Sequence, residues 1–279
     1  MKTYKLNNGV EMPQLGYGVY QVHPDEAERC VSDALRVGYR MIDTAQMYGN
    51  ESGVGAAINQ CGIARDDLFL VSKIWINNYG YAKAKASIDD SLRRLQTDYL
   101  DLMLLHQPYC DYYGAYRALM EAYREGKLRA IGISNFQPNH LIDLASNVEI
   151  VPAINQVEAH VFCQQQKANE YMKEFGIQIM SWGPLAEGRL GLFTDPVLEE
   201  IGKTHGKSVA QVALRYLTQR DIIIIPKSTH EERMVENLNI YDFTLTDDEM
   251  ERIKALDTGK SAFFDHNDPE VIKMFMKRK

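Results

Sequence analysis

From Gln14 onward the chain alternates short apolar runs with longer stretches in which apolar residues recur at helical spacing. The runs are LGYGV (15–19), YRMIDTA (39–45), LFLVSKI (68–74), LDLMLL (100–105), AIGIS (130–134), PAINQVE (152–158), IQIMSW (177–182) and IIIIP (222–226). Helical spacing fills 24–37, 51–61, 80–96, 111–126, 137–146, 164–175, 207–220 and 230–239, with a further stretch at 246–256. The punctuation agrees, since Pro24-Asp25-Glu26 is a helix opening and Gly38 a helix end. Runs of Val, Ile and Leu without polar alternation are what parallel strands look like when helices cover both faces. Eight such units in succession predict an α/β fold, a single (β/α)8 TIM barrel spanning 1–279. Ahead of it, residues 3–12 read as a β-hairpin turning at Asn7-Asn8-Gly9. Between the last two runs there is room for an extra loop (185–195) and an extra helix (195–204).

The runs share a second feature, a functional side chain at or just past the end. Asp43, Lys73, His106, Ser134 with Asn135, Gln156, Trp182 and Lys227 all stand there, and Tyr48 follows Asp43 in a loop containing Gly49 and Asn50. In a barrel the carboxyl ends of the strands open on one mouth, so residues distant in sequence can meet. Four of these have complementary chemistry. A tyrosine hydroxyl titrates near about 10, an ammonium beside it favours the phenolate, a carboxylate keeps that lysine charged, and an imidazole polarises a carbonyl oxygen. Singly each has a plainer use: Asp43 as a turn cap, Tyr48 as a half-buried aromatic, Lys73 snorkelling to water, His106 as a turn residue before Gln107-Pro108. Delivered together to one rim, Asp43, Tyr48, Lys73 and His106 predict a catalytic site.

Composition narrows the class. With 45% hydrophobic and 25% charged residues, the chain has the make-up of an ordinary globular protein. A net charge of −7, with Lys and Arg scattered, argues against nucleic acid or an anionic membrane as the main partner. Cys30, Cys61, Cys110 and Cys163 are far apart and form no CxxC pair, so neither a metal site nor a disulfide framework is expected. No apolar run approaches a membrane span and no signal h-region is present, which points to a cytoplasmic protein, read here as a monomer. A doubly wound dinucleotide fold is the main rival, but Gly16-Tyr17-Gly18 lacks the third glycine and opens no helix.

The blocks IDTAQMYGNE (42–51), VSKIW (71–75), LDLMLLHQP (100–108), GISNF (132–136), INQVE (154–158) and IPKS (225–228) resemble, in order, the signature blocks of the aldo-keto reductases. That resemblance covers nearly the whole chain. It implies a barrel that binds NADP(H) without a Rossmann fold and reduces small aldehydes or ketones to alcohols. Tyr48 would be the general acid, Lys73 and Asp43 the pair that lowers its pKa, and His106 the group that orients the carbonyl. Ser134, Asn135 and Gln156 would hold the nicotinamide carboxamide, and the ring would stack on Trp182, where tyrosine is usual, followed by Gly183 and Leu185. Lys227, Ser228 and Arg233 would hold the adenosine 2′-phosphate and Asn237 the adenine. Thr229 and Glu232 have capping-box spacing for a helix starting near His230.

Tyr20, Trp75 and Tyr109, with His106, are candidates for the substrate wall, although aromatics at barrel ends also serve packing. Gln107 stands where the family often has tryptophan. In the tail SAFFDHNDPEVIKMF, Asp265 and His266 read as local tethers. Two alternatives stay open: a keto-sugar, methylglyoxal or prostaglandin reductase, and a nucleotide-sensing regulatory barrel without turnover.

Overall fold

The computed structural model describes residues 2–277, with ten strands in two sheets. β1 (Thr3–Lys5) and β2 (Glu11–Pro13) pair antiparallel as the hairpin. β3 (Tyr17–Gly18), β4 (Met41–Asp43), β5 (Phe69–Ile74), β6 (Leu102–Leu105), β7 (Ile131–Ser134), β8 (Ile154–Glu158), β9 (Gln178–Trp182) and β10 (Ile223–Ile224) follow one another in a single parallel sheet. That sheet closes on itself. Leu15 bridges Ile224, Gly16 N donates to Ile224 O at 2.9 Å, and Ile224 N donates to Gln14 O at 2.9 Å. The eight predicted units are therefore present and closed. The first and last apolar runs form only two-residue ladders, because the seam between them is held by isolated bonds. Backbone approaches backbone there: a Cβ on Gly18 would lie 2.9 Å from the Ile225 carbonyl oxygen, so this position requires glycine.

Successive strand residues point to opposite faces, and two apolar layers result. Met41, Phe69, Val71, Leu102, Leu104, Ile154, Met180, Ile223 and Ile225 fill the barrel interior together with Leu6 and Met12 of the hairpin, which plugs the bottom. Ile42, Leu70, Met103, Leu105 and Ile133 face outward into the layer beneath the helices. The hairpin is tied down by Asn7 Nδ2 to Pro152 O at 3.1 Å and Asn8 Nδ2 to Arg129 O at 2.9 Å.

Helix ends follow local chemistry. The helix Pro24–Val37 has the predicted bounds, with Gly38 at φ 123° ending it. Asp195 caps the predicted extra helix, Pro196–His205, through the amides of Val197 and Leu198. The Thr229/Glu232 capping box does not form: helix Glu231–Leu238 has no side-chain cap at His230, and Ser228 Oγ accepts from His230 N at 3.1 Å, fixing the turn instead. A helix that the apolar spacing did not predict, Pro269–Lys277, ends the described chain. No helix among the described residues is long and apolar enough to cross a membrane.

Gly132 in β7 marks how closely the strands are packed: a Cβ there would lie 2.6 Å from Ile154 O and 2.8 Å from Leu104 Cδ2. Gly132→Ala is expected to lower the urea unfolding midpoint by an amount equivalent to about 1–3 kcal/mol. An unchanged midpoint would mean that the barrel widens without cost.

Candidate active site

The pleat decides which side chains reach the mouth. Each interior residue is followed two positions later by one on the same face, and at the carboxyl end these are Asp43 after Met41, Lys73 after Val71, His106 after Leu104, Ser134 after Gly132, Gln156 after Ile154, Trp182 after Met180 and Lys227 after Ile225. Tyr48 comes from the turn Gln46–Tyr48. Gln46 holds that turn by donating to Ser87 O at 3.1 Å and by accepting from Trp75 N at 3.1 Å and Asn78 Nδ2 at 2.8 Å.

Lys73 is 0% exposed and Asp43 2%. Lys73 Nζ donates to Asp43 Oδ1 at 2.5 Å, to Thr44 O at 2.9 Å and to the Tyr48 hydroxyl at 3.4 Å. Gln156 Nε2 donates to the other Asp43 oxygen at 2.8 Å. The ammonium thus has an acceptor in three directions, and the carboxylate has a donor on each oxygen. Burial pushes the Asp43 carboxyl up and the Lys73 amine down, and the ion pair between them opposes both shifts.

Burial also raises the Tyr48 hydroxyl well above its usual range, helped by the Asp43 charge and by Tyr20. The net direction is thus upward, and of the expected pair Asp43 adds to it rather than lowering it. His106 is shifted the other way, held well below the usual imidazole range by burial, then by Lys73 and His266. Its Nδ1 is buried without an acceptor, which favours the tautomer with the proton on Nε2.

The remaining strand-end residues form one hydrogen-bonded chain. Asn135, at φ 64°, donates from Nδ2 to His106 O at 3.0 Å and to Ser134 Oγ at 3.1 Å, while its Oδ1 accepts from the Trp182 indole at 2.8 Å. Ser134 Oγ donates to Gln156 O at 2.8 Å.

A cavity of about 420 Å³ joins Asp43, Tyr48, His106, Asn135 and Gln156 to Trp182, Gly183, Leu185 and Lys227. Ser228, Arg233 and Asn237 lie beyond it, on the turn and helix that follow Lys227. Among the described residues, Lys227 and Arg233 carry no ion pair and the Asn237 side chain has no partner. A cleft that runs from a half-buried phenol to unpaired cations beside a helix N-terminus fits an elongated dinucleotide with a phosphate at one end.

Of the substrate candidates, Tyr20 (46% exposed) packs against the Tyr48 ring at 5.0 Å, and Trp75 packs edge-on to His106 at 5.0 Å; both line the cavity. Tyr109 does not. Its hydroxyl is taken up by His266 O at 2.6 Å and its ring packs on Phe275, so it supports the wall from behind. The tail contributes what the sequence reading missed: Phe263, Phe264, His266, Met274 and Phe275 all line the cavity. His266 is thus a wall residue as well as a tether. The missed signal was Asp268-Pro269-Glu270, an opening of the same kind as Pro24-Asp25-Glu26, with Asp268 Oδ1 accepting from Glu270 N at 2.9 Å.

Residues 12–258 match the model of the aldo/keto reductase family. The chain belongs to that family. It is 48% identical over 256 residues to the glyoxal reductase of Bacillus subtilis (strain 168), which covers 91% of this chain and 92% of that protein. Among solved structures, an aldo-keto reductase from a Medee basin deep-sea metagenome library aligns with TM-score 0.93 at 40% identity, covering 95% of this chain and 98% of that one. A Bombyx mori aldo-keto reductase in complex with NADP aligns with TM-score 0.89 at 30% identity, covering 98% and 96%. The chain is thus a member of an oxidoreductase family whose relatives reduce carbonyl compounds.

The imidazole shifts give an expectation independent of turnover. Burial lowers the His266 pKa to about 4 and His106 lies well below 6.5. An NMR titration of the histidine ring protons is expected to show neither residue protonating as pH falls from 8 through about 6. An inflection of His106 near the ordinary histidine value would mean that water reaches the ring.

Proposed function

We propose that the protein is an NADPH-dependent reductase that converts small aldehydes and ketones to alcohols, with Tyr48 as the general acid. The observation that carries this reading is Lys73 Nζ bonded both to Asp43 and to the Tyr48 hydroxyl, in the cavity that His106 also lines. NADPH, when bound, supplies the hydride. Ser134, Asn135 and Gln156 would hold its carboxamide. Asn135 Nδ2 and Gln156 Nε2 are already engaged within the protein, so the Gln156 oxygen, and the second lone pair of the Asn135 oxygen that accepts from Trp182, would accept its N–H donors. Trp182 offers a ring face, with Gly183 and Leu185 beside it, and Lys227, Ser228, Arg233 and Asn237 would take the adenosine 2′-phosphate and adenine.

His106 donates from Nε2 to the carbonyl oxygen and fixes its position. Tyr48 then hands its proton to that oxygen. Lys73 stands 3.4 Å from the phenolate left behind and stabilises it, while Asp43 keeps the lysine charged. A phenol raised by burial is a weak acid at rest, so the transfer depends on Lys73 stabilising the phenolate as it forms. The names of the relatives, a glyoxal reductase and a structure holding NADP, support the same assignment.

Tyr48→Phe is expected to lose carbonyl reduction by about 10²- to 10⁴-fold while NADPH still quenches the intrinsic fluorescence. Retention of more than a tenth of the wild-type rate would assign the acid elsewhere. Lys227→Ala with Arg233→Ala is expected to cut the preference for NADPH over NADH by about tenfold or more. A wild-type cofactor ratio near one would remove the 2′-phosphate assignment.

A further inference from the structure

Asp43, Lys73 and His106 stand at the ends of ladder-bonded strands, but Tyr48 does not. Its hydroxyl has to stay within reach of the Lys73 ammonium, and the 3.4 Å between them is already long for a hydrogen bond, so a small displacement breaks it. The turn Gln46–Tyr48 has little of its own to fix that distance: Tyr48 N donates to Ala45 O at 3.0 Å and Gly49 N to Gln46 O at 3.3 Å. A single helical turn does not support itself in water. Groups outside the turn must set where the phenol lies.

The side chain of Gln46 is placed to do this. Its amide has two N–H donors and two acceptor lone pairs, and all four are used. Nε2 donates to Ser87 O and Ser91 Oγ, each at 3.1 Å, on the helix Tyr81–Leu95. Oε1 accepts from Trp75 N at 3.1 Å and from Asn78 Nδ2 at 2.8 Å. Trp75 follows the last residue of β5 and lies two positions past Lys73, so the bond from Gln46 joins the loop that carries the phenol to the strand that carries the ammonium. Past Tyr48 the loop is anchored by Asn50, whose Nδ2 donates to Val19 O at 2.9 Å and Val22 O at 3.2 Å, and by Glu51, which accepts from Ser72 Oγ at 2.6 Å. Gly49, at φ 70°, separates the phenol from those anchors, and glycine transmits little restraint. The Gln46 side of the turn therefore governs the phenol. The same carboxamide fixes the backbone of Trp75, whose ring packs edge-on to His106 at 5.0 Å and lines the cavity.

We propose that Gln46 is a positioning residue for the reduction: its carboxamide holds the Tyr48 hydroxyl within reach of Lys73 and in register with the Trp75 wall, without touching substrate or cofactor. This inference rests on the reductase reading above and deepens it.

The test compares wild type, Gln46→Met and Gln46→Glu in the reduction of 4-nitrobenzaldehyde by NADPH, alongside the NADPH Kd from fluorescence quenching and the thermal midpoint. Methionine fills the same space and makes none of the four bonds, whereas glutamate keeps both acceptor bonds, from Trp75 N and Asn78 Nδ2. Gln46→Met is expected to lose about tenfold or more in kcat, because a misplaced acid slows the chemical step, with the NADPH Kd within about twofold of wild type. Gln46→Glu is expected to lose less, in keeping with the bonds it retains. Values of kcat within about twofold of wild type in both variants, even with a lowered midpoint, make Gln46 structural only and overturn the proposal. So do equal losses in the two variants, which assign the effect to something other than the bonds to Trp75 and Asn78, and a loss of NADPH binding as large as the loss in kcat. A wild type inert toward the aldehyde would overturn the reductase reading itself, and this inference with it.

Discussion

The site is organised around one buried ion pair. Lys73 and Asp43 are both withdrawn from water, and taking two charges out of water costs about several kcal/mol per ion before their attraction is counted. Such a pair adds little net stability and persists only where every remaining donor and acceptor is satisfied. Here Thr44 O, the Tyr48 hydroxyl and Gln156 Nε2 supply those partners. The same bonds that make the pair tolerable deliver a phenol to an ammonium and a strand-end amide to a carboxylate. Rigidity of the site is thus a consequence of solvating a charge with protein groups.

From that pair the constraint spreads around the rim. Gln156 O accepts from Ser134, Ser134 Oγ accepts from Asn135, and Asn135 in turn binds His106 O and the Trp182 indole. Six barrel strands, β4 to β9, are therefore cross-linked at their carboxyl ends by polar side chains in addition to their backbone ladders. The indole at position 182 matters in this chain because its N–H fixes the Asn135 oxygen while its ring faces the cavity.

The upper wall is tied to the same strands. Glu158, at the end of β8, accepts from Ala262 N at 2.7 Å and from Ser261 Oγ, and its Oε1 also lies 2.9 Å from His160 Nε2. This anchors the segment whose Phe263 packs edge-on to Trp182 at 5.2 Å. Beyond it, Phe275 of the last helix meets Trp75 at 6.0 Å, so the cavity is roofed by residues distant in sequence from the strands they cover.

Much of this was legible in the residue order. The run of Val, Ile and Leu ended by one polar residue recurs because a covered parallel strand must be apolar on both faces, and the pleat then fixes by parity which side chain enters the mouth. Asp43, Lys73, His106, Ser134, Gln156 and Trp182 could be placed on one rim from that alone, and the helix from Pro24 to Val37 from its end signals. Protonation states could not be read this way. They depend on how much water each group loses, and only the packed cavity decides that burial raises the Tyr48 hydroxyl and lowers the His106 imidazole. The places of Tyr109 and His266 likewise waited on the tertiary structure, because the path of the tail across the mouth is set by contacts with Glu158, Tyr109 and Trp75 rather than by any local pattern.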